Sequence, residues 1–194
     1  LTNTLEMEEL AQTKLPGMAS LSEESHLAGK VKKEQPILVI LGNPPYSVSS
    51  ANKSDFIERE MELYKEDVRD EKNIQPLSDD YIKFIRFAHW KIDQAGKGVI
   101  GMITNNSFLS GLIHRGVRKK LLESFNEIYI LNLHGNSRIG EKCPDGSKDE
   151  NVFDIQQGVT IALFIKSANQ RHLGKIFYQD VYGDREKKYS YLDK

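Results

Sequence analysis

The stretch Ile37-Leu38-Val39-Ile40-Leu41-Gly42-Asn43-Pro44-Pro45-Tyr46 decides how this chain is read. Its first six residues are short, β-branched and continuously apolar, the pattern of a strand buried on both faces of a parallel sheet. A polar loop locked by two prolines follows at the strand's carboxyl end, where open α/β sheets bind ligands. The competing reading is a proline-rich turn that merely closes a strand. With proline at roughly 5% of residues, the tetrapeptide arises by chance in a chain this long on the order of one time in a thousand.

Working outward, strand and helix patterns alternate, which predicts an α/β sheet. Residues 6–35 are polar and charged, with a turn at Pro16-Gly17, and read as a connecting segment with one helix. Asp55 to Asp70 reads as a helix with one weakly apolar face, and Asn73 to Ser78 as a loop. Ser78 or Asp79 then caps a well-buried helix through Gln94, with Tyr81, Ile85, Ala88 and Ile92 on one face. A strand is predicted at Val99–Thr104, a helix near Leu112–Ser124, and strands at Glu127–Leu133, Val159–Ile165 and Lys175–Gln179. The chain divides into a connecting segment (1–35), a catalytic half-domain (36–180) and a carboxyl-terminal tail (181–194).

The bulk properties fit this organisation. At 194 residues and 39% hydrophobic, the chain can bury the core of one domain. No apolar run approaches membrane-span length, and the amino-terminal segment is acidic and polar, unlike a signal peptide, so no membrane partner and a cytoplasmic origin are expected. The single cysteine, Cys143, precludes an internal disulfide, and its polar loop offers no metal ligands. A formal net charge of -1 gives no bulk attraction to nucleic acid, so any electrostatic footprint is local.

The loop has the parts of an amine-methylating site. An adenine exocyclic amine is a poor nucleophile because its lone pair is delocalised into the ring. Two preorganised acceptors aimed at its protons draw that lone pair back onto nitrogen: the side-chain oxygen of Asn43 and the backbone carbonyl of Pro44. Pro44 and Pro45 fix their own φ and hold the preceding residues extended, so both acceptors project from a stiff backbone. Tyr46 offers an aromatic face for the base, a contact worth roughly 1–3 kcal/mol. No metal or covalent intermediate is required, and catalysis is mostly positioning.

Three segments together resemble the gamma-type adenine-N6 DNA methyltransferases, in particular the methylase portion of large single-chain restriction-modification enzymes that also carry a helicase-like ATPase. They are Leu41-Gly42-Asn43-Pro44-Pro45-Tyr46-Ser47, Ile103-Thr104-Asn105-Asn106-Ser107-Phe108-Leu109-Ser110 and Asn151-Val152-Phe153-Asp154-Ile155-Gln156-Gln157-Gly158-Val159. The resemblance covers nearly the whole chain. It implies a partial Rossmann-like methyltransferase sheet made of its second-half strands, with the last core strand antiparallel to its neighbours. It implies S-adenosylmethionine as cofactor and DNA as partner. It makes Asn43, Pro44, Pro45 and Tyr46 catalytic, and Asn105, Asn106, Ser107 and Phe153 contributors to the substrate pocket. Thr2-Asn3-Thr4-Leu5 corresponds to the segment where the family places an aspartate near the cofactor adenine, which puts Asn3 on the cofactor side.

Nothing before Asn43 resembles the family's glycine-rich cofactor turn, and the chain opens at Leu1. It therefore reads as a piece of a larger restriction-modification polypeptide that keeps the base side of the site and lacks much of the cofactor side. The strand entering Asn43 is then expected to cover its free edge with the amino-terminal segment or by pairing with another copy. Two alternatives use the same residues: a protein-glutamine or other amine methyltransferase, and a folded fragment or interaction module without catalysis of its own.

Other signals read as structural. Gly96-Lys97-Gly98-Val99-Ile100-Gly101 has the spacing of a dinucleotide loop but ends a helix and enters a strand, the reverse of the required order, so Gly96 is expected to be a helix C-cap. His89 and Trp90 read as core residues, and His114 and His134 lack metal-site spacing. Arg115, Arg118, Lys119 and Lys120 read as a solvated helix face rather than a phosphate contact. The long polar loop from Gly135 to Asn151 is either mobile or turned toward substrate, and Ser107 or Ser110 is an equally economical helix cap.

Overall fold

The structure is a computed structural model that describes residues 3–7, 19–47, 50–169 and 172–194. It is a mixed α/β fold whose five strands are β1 (Val39–Gly42), β2 (Gly98–Asn105), β3 (Glu127–His134), β4 (Val159–Lys166) and β5 (Lys175–Asp180). The sheet order is β1-β2-β4-β3-β5. β1 runs parallel to β2, β3 runs parallel to β5, and β4 is inserted antiparallel between β2 and β3. This is the partial methyltransferase-like sheet expected, with β4 as its antiparallel core strand and β5 added beyond β3.

Six α-helices accompany the sheet among the described residues: α1 (Ala19–Glu34), α2 (Asp55–Lys65), α3 (Asp80–Ala95), α4 (Ser107–Ser110), α5 (Arg115–Ser124) and α6 (Arg185–Leu192). α3 forms where its apolar periodicity predicts. The Asp79 side chain caps it by accepting from the Tyr81 N–H, a contact worth about 1 kcal/mol, and Gly96 at φ +73° ends it. The helix expected to reach Asp70 stops at Lys65 and tightens into a 3-10 turn, Glu66–Val68, which carries Val68 into the core. The helix expected from Leu112 starts at Arg115, because Leu112–His114 forms a 3-10 turn that folds the His114 ring back against Gly111. α6 lies in a stretch where the sequence predicted no element. Asp184 caps it, and it buries Lys188.

The strand period of two gives the sheet two distinct faces. Ile40, Ile100, Phe164 and Ile128 stand in register on the helix-covered face and join Tyr64, Ile85, Leu121 and Phe125 in the main core. On the other face, Leu133, Val152, Val159 and Val181 form a second, smaller cluster at the carboxyl end of the sheet. Beyond that cluster the face lies open, and Leu41 at the β1 edge is 76% exposed. Among the described residues nothing pairs with the outer edge of β1. No helix is long and apolar enough to cross a membrane, and no cluster of His, Cys, Asp and Glu is arranged to hold a metal, again among the described residues.

Candidate active site

Strand direction determines what meets where. β1, β2, β3 and β5 all end at one edge of the sheet, and antiparallel β4 begins there. The Asn43–Tyr46 loop, the Asn105–Ser107 turn and the Phe153–Gly158 segment, far apart in sequence, therefore line a single edge.

The Asn43 loop is pinned from behind. The Ser47 N–H donates to Asp79 Oδ1 at 2.8 Å, and the Asp80 N–H donates to the Ser47 carbonyl at 3.2 Å. The first turn of α3 thus grips the loop on both its donor and acceptor sides. Pro44 is buried and Pro45 exposed. Asn43 is exposed, with a side chain that makes no hydrogen bond among the described residues. Tyr46 packs against the main core with its ring edge-on to Tyr81, centroids 6.0 Å apart. Its hydroxyl is buried without a partner. Burial, with the Asp79 carboxylate adding to it, pushes the Tyr46 phenol up to about 12, so the ring is a neutral phenol. Burial also raises the Asp79 carboxyl above its ordinary value, against the opposing effect of the Ser47 and Tyr81 N–H groups.

Asn3 lies behind this loop. Its Nδ2 donates to Asn52 Oδ1 at 2.7 Å and to Glu6 Oε1 at 3.0 Å, and its Oδ1 accepts the Leu5 N–H at 3.1 Å. Asn52 in turn donates to Asp80 Oδ1 at 2.9 Å, and Lys83 Nζ donates to the Asn52 carbonyl. Asn3 is therefore tied to the helix that pins the Asn43 loop, and each polar group of its side chain is already engaged by protein.

The second and third motifs touch each other. Asn105 Oδ1 accepts both the Ser107 N–H at 2.9 Å and the Ser107 hydroxyl at 2.7 Å, closing the turn into α4. The Asn106 N–H donates to the Gly158 carbonyl at 2.9 Å. A Cβ at residue 158 would lie 2.5 Å from the Asn106 side-chain Nδ2, so a larger residue there would displace that side chain. Asn151 supports the segment from within, donating to the Gly135 and Gln157 carbonyls and accepting the Phe153 N–H at 2.8 Å. Phe153 packs against the second cluster and makes no ring contact with Tyr46. Tyr46 belongs to the main core under the helices, whereas Phe153 belongs to the smaller cluster on the other face of the sheet. A cavity of ≈ 620 Å³ opens beside Phe153, lined also by Gly135, Asn151, Ile155 and Arg185.

The basic residues of α5 are engaged in packing. Arg115 pairs with Glu71 at 2.6 Å, Lys119 with Asp67 at 3.0 Å and Lys120 with Glu66 at 2.9 Å, while Arg118 donates to the Phe108 and Gly111 carbonyls. They bind α5 to the turns after α2 and α4.

With this geometry in place, the comparisons have a clear meaning. The model of the Eco57I restriction-modification methylase family matches residues 5–139, which include the Asn43 loop and the Asn105 turn. The chain belongs to that family. Among solved structures it is similar to the ATP-dependent Type ISP restriction-modification enzyme LlaBIII bound to DNA, at 35% identity and TM-score 0.81, covering 99% of this chain and 13% of that one. A nuclease-deletion mutant of the Type ISP enzyme LlaGI in complex with a DNA substrate mimic gives 26% identity and TM-score 0.80 over 100% of this chain and 16% of that one. The DrdV–DNA complex gives 27% identity and TM-score 0.73 over 89% of this chain and 18% of that one. The chain thus spans less than a fifth of each of these structures. No curated protein matches it.

One group at this edge was not visible in the sequence as a functional candidate: His134, Glu141, Asp180 and Tyr182, gathered where β3 and β5 end. The only local signal is His134-Gly135 directly after an apolar strand.

Proposed function

We propose that this chain is the base-binding and catalytic-motif part of a site-specific DNA adenine-N6 methyltransferase of a restriction-modification system, working within a larger polypeptide. The observation that carries this reading is the Asn43–Tyr46 loop itself: an exposed, unpartnered amide beside a carbonyl, on a double-proline backbone gripped by the amino terminus of α3.

A target adenine flipped from the duplex enters at the carboxyl edge of the sheet. Asn43 Oδ1 and the Pro44 carbonyl accept the two protons of its exocyclic amine and concentrate the lone pair on nitrogen. Tyr46 supplies an apolar, uncharged face for the base, and Phe153 is assigned to the opposite wall. Asn105, Asn106 and Ser107 form the floor between them.

The family's methyl donor, S-adenosylmethionine, finds no cradle among the described residues. Asn3 has its side-chain donors and acceptor engaged by protein, and β1, the strand bearing the catalytic loop, is open along its outer edge. We assign donor binding to polypeptide outside this chain, and the chain alone is expected to bind DNA bases better than it binds the donor.

Asn43→Ala in the complete enzyme tests the reading. Methylation of DNA should be abolished while DNA affinity is retained. Methyl transfer continuing at the original rate would remove Asn43 from the mechanism, and label entering protein instead of DNA would redirect the substrate assignment.

A further inference from the structure

β3 ends irregularly. Its pairing with β4 slips between Asn132 and His134, and His134 adopts φ +52°, a left-handed conformation uncommon outside glycine. Bulges of this kind re-aim side chains next to active sites. Here the bulge drives the imidazole between two carboxylates: Nδ1 lies 2.7 Å from Glu141 Oε1 and Nε2 lies 2.7 Å from Asp180 Oδ1. Asn132 Nδ2 also lies 3.4 Å from Nδ1, so the ring stands between two carboxylates and an amide. Tyr182 lies flat on that ring, centroids 3.8 Å apart and planes 18° apart, and holds its plane.

Further polar and charged groups surround the ring. Tyr178 donates its hydroxyl to Asp180 Oδ1 at 2.6 Å. Lys188 donates to the Leu133 carbonyl at 2.7 Å and pairs with Asp149 at 2.9 Å, so its charge is matched. Glu141 Oε2 also accepts the Asn136 N–H at 2.8 Å, which carries the ring's hold into the loop after β3.

The cluster is wired to the candidate site through Asn132. The His134 N–H donates to Asn132 Oδ1 at 3.3 Å, the same oxygen that accepts Asn106 Nδ2 at 3.1 Å. The opposite end of the Asn132 amide donates to the Tyr178 hydroxyl at 2.9 Å, and that hydroxyl is held by Asp180. The orientation of Asn132, and through it that of Asn106, is therefore set by the same carboxylate that anchors the imidazole.

We propose that His134 is a positioning residue for methyl transfer: bridging Glu141 and Asp180, it fixes Asn132 against Asn106 and so sets the geometry of the base-binding floor. This rests on the base-binding reading above. Two experiments separate them. In the 194-residue chain, His134→Asn should shift the ¹⁵N-resolved side-chain amide signals of Asn132 and Asn106; signals that stay in place overturn the proposal whatever the enzyme does.

In the complete enzyme, His134→Asn keeps a residue that tolerates the left-handed backbone and removes the bridge. It should lower kcat by roughly tenfold or more, as small misplacements do, with KM for DNA and the thermal midpoint nearly unchanged. Asp180→Asn, which keeps the shape and removes the charge, should do the same if His134→Asn folds poorly. A kcat that stays at the parental level, or falls only in step with the thermal midpoint, overturns the positioning role. If the parental enzyme methylates no DNA, the base-binding reading itself is what fails.

Discussion

The two faces of the sheet have nearly the same composition and opposite surroundings. One row of registered residues, Ile40, Ile100, Phe164 and Ile128, lies under the helical layer. The adjacent row, Leu41, Gly101, Leu163, Tyr129 and Phe177, is as apolar, yet Leu163 is 39% exposed where its neighbour Phe164 is fully buried. Among the described residues, cover on this second face is confined to its carboxyl end, where Val152, Phe153 and Val181 pack. Sheets with helices on a single face and a bare apolar row on the other are not how parallel α/β units usually end. The difference teaches that the sequence of this sheet encodes two buried faces, while the described residues supply one helical layer.

The largest effect should come from replacing the two neighbours of β4 in turn. Phe164→Ala removes a ring packed against Phe125 at 5.5 Å in the main core, and should cost about 3–5 kcal/mol. Leu163→Ala, one residue away, should cost less than about 1 kcal/mol because its side chain already meets solvent. Urea titrations of the two variants measure the contrast directly. Equal losses would mean that the second face is covered in solution.

Acid should expose the same asymmetry at intermediate size. The helical layer encloses two histidines. The Tyr64 hydroxyl lies 2.9 Å from His89 Nδ1, and burial lowers this imidazole to about 3 against the opposing pull of Asp93. His114 lies near the Tyr81 hydroxyl, and burial, aided by Arg118, lowers it to about 4. Both folded-state values fall below the ordinary value of 6.5, so the unfolded chain takes up protons first as pH falls. Their contribution is complete above about pH 6.5 and is lost progressively on the way down, with a slope of up to about 1.4 kcal/mol per pH unit for each histidine. Urea midpoints measured between pH 7 and 5 should fall with pH, and His114→Gln should flatten the slope. An unchanged slope in that variant would show that His114 is not kept neutral by burial.

What the sequence made legible follows from how local each signal is. The Asp79 cap, the Gly96 terminator and the core placement of His89 each depend on a few consecutive residues, and each is found as read. The strand before Asn43 forms, but only over Val39–Gly42 and not buried on both faces: among the described residues it is the edge of the sheet, with Val39 and Leu41 60% and 76% exposed, because burial depends on a neighbouring strand that a local run cannot supply. The α5 cations read from the sequence as a solvated face, whereas Arg115, Lys119 and Lys120 pair with carboxylates on the turn after α2, 44 or more residues away, which no local pattern reveals. The antiparallel insertion of β4 came from family resemblance, since no spacing in the chain dictates strand order. His134 was set aside because its chemistry depends on Asp180, 46 residues downstream, and on a bulge without a periodic signature. α6 was invisible for a related reason. Its anchor is Lys188, a buried cation that hydropathy reads as surface and that only Asp149 and the Leu133 carbonyl make tolerable.

The smallest energetic effect should come with a visible change of state. Val39 and Leu41 on β1 are 60% and 76% exposed along an edge that nothing among the described residues pairs, and the bare row continues from them across the sheet. Open, apolar edges of this kind recruit a second chain, and charge is the ordinary means of blocking them. The 194-residue chain on its own should therefore self-associate in sedimentation experiments at micromolar concentration. Leu41→Lys with Leu163→Lys should shift it toward monomer while changing the intrinsic stability by no more than about 0.5 kcal/mol per site, since both side chains already contact water. A native chain that sediments as a monomer at all concentrations would mean that this face is shielded within the chain itself, and would remove the distinction between the two faces.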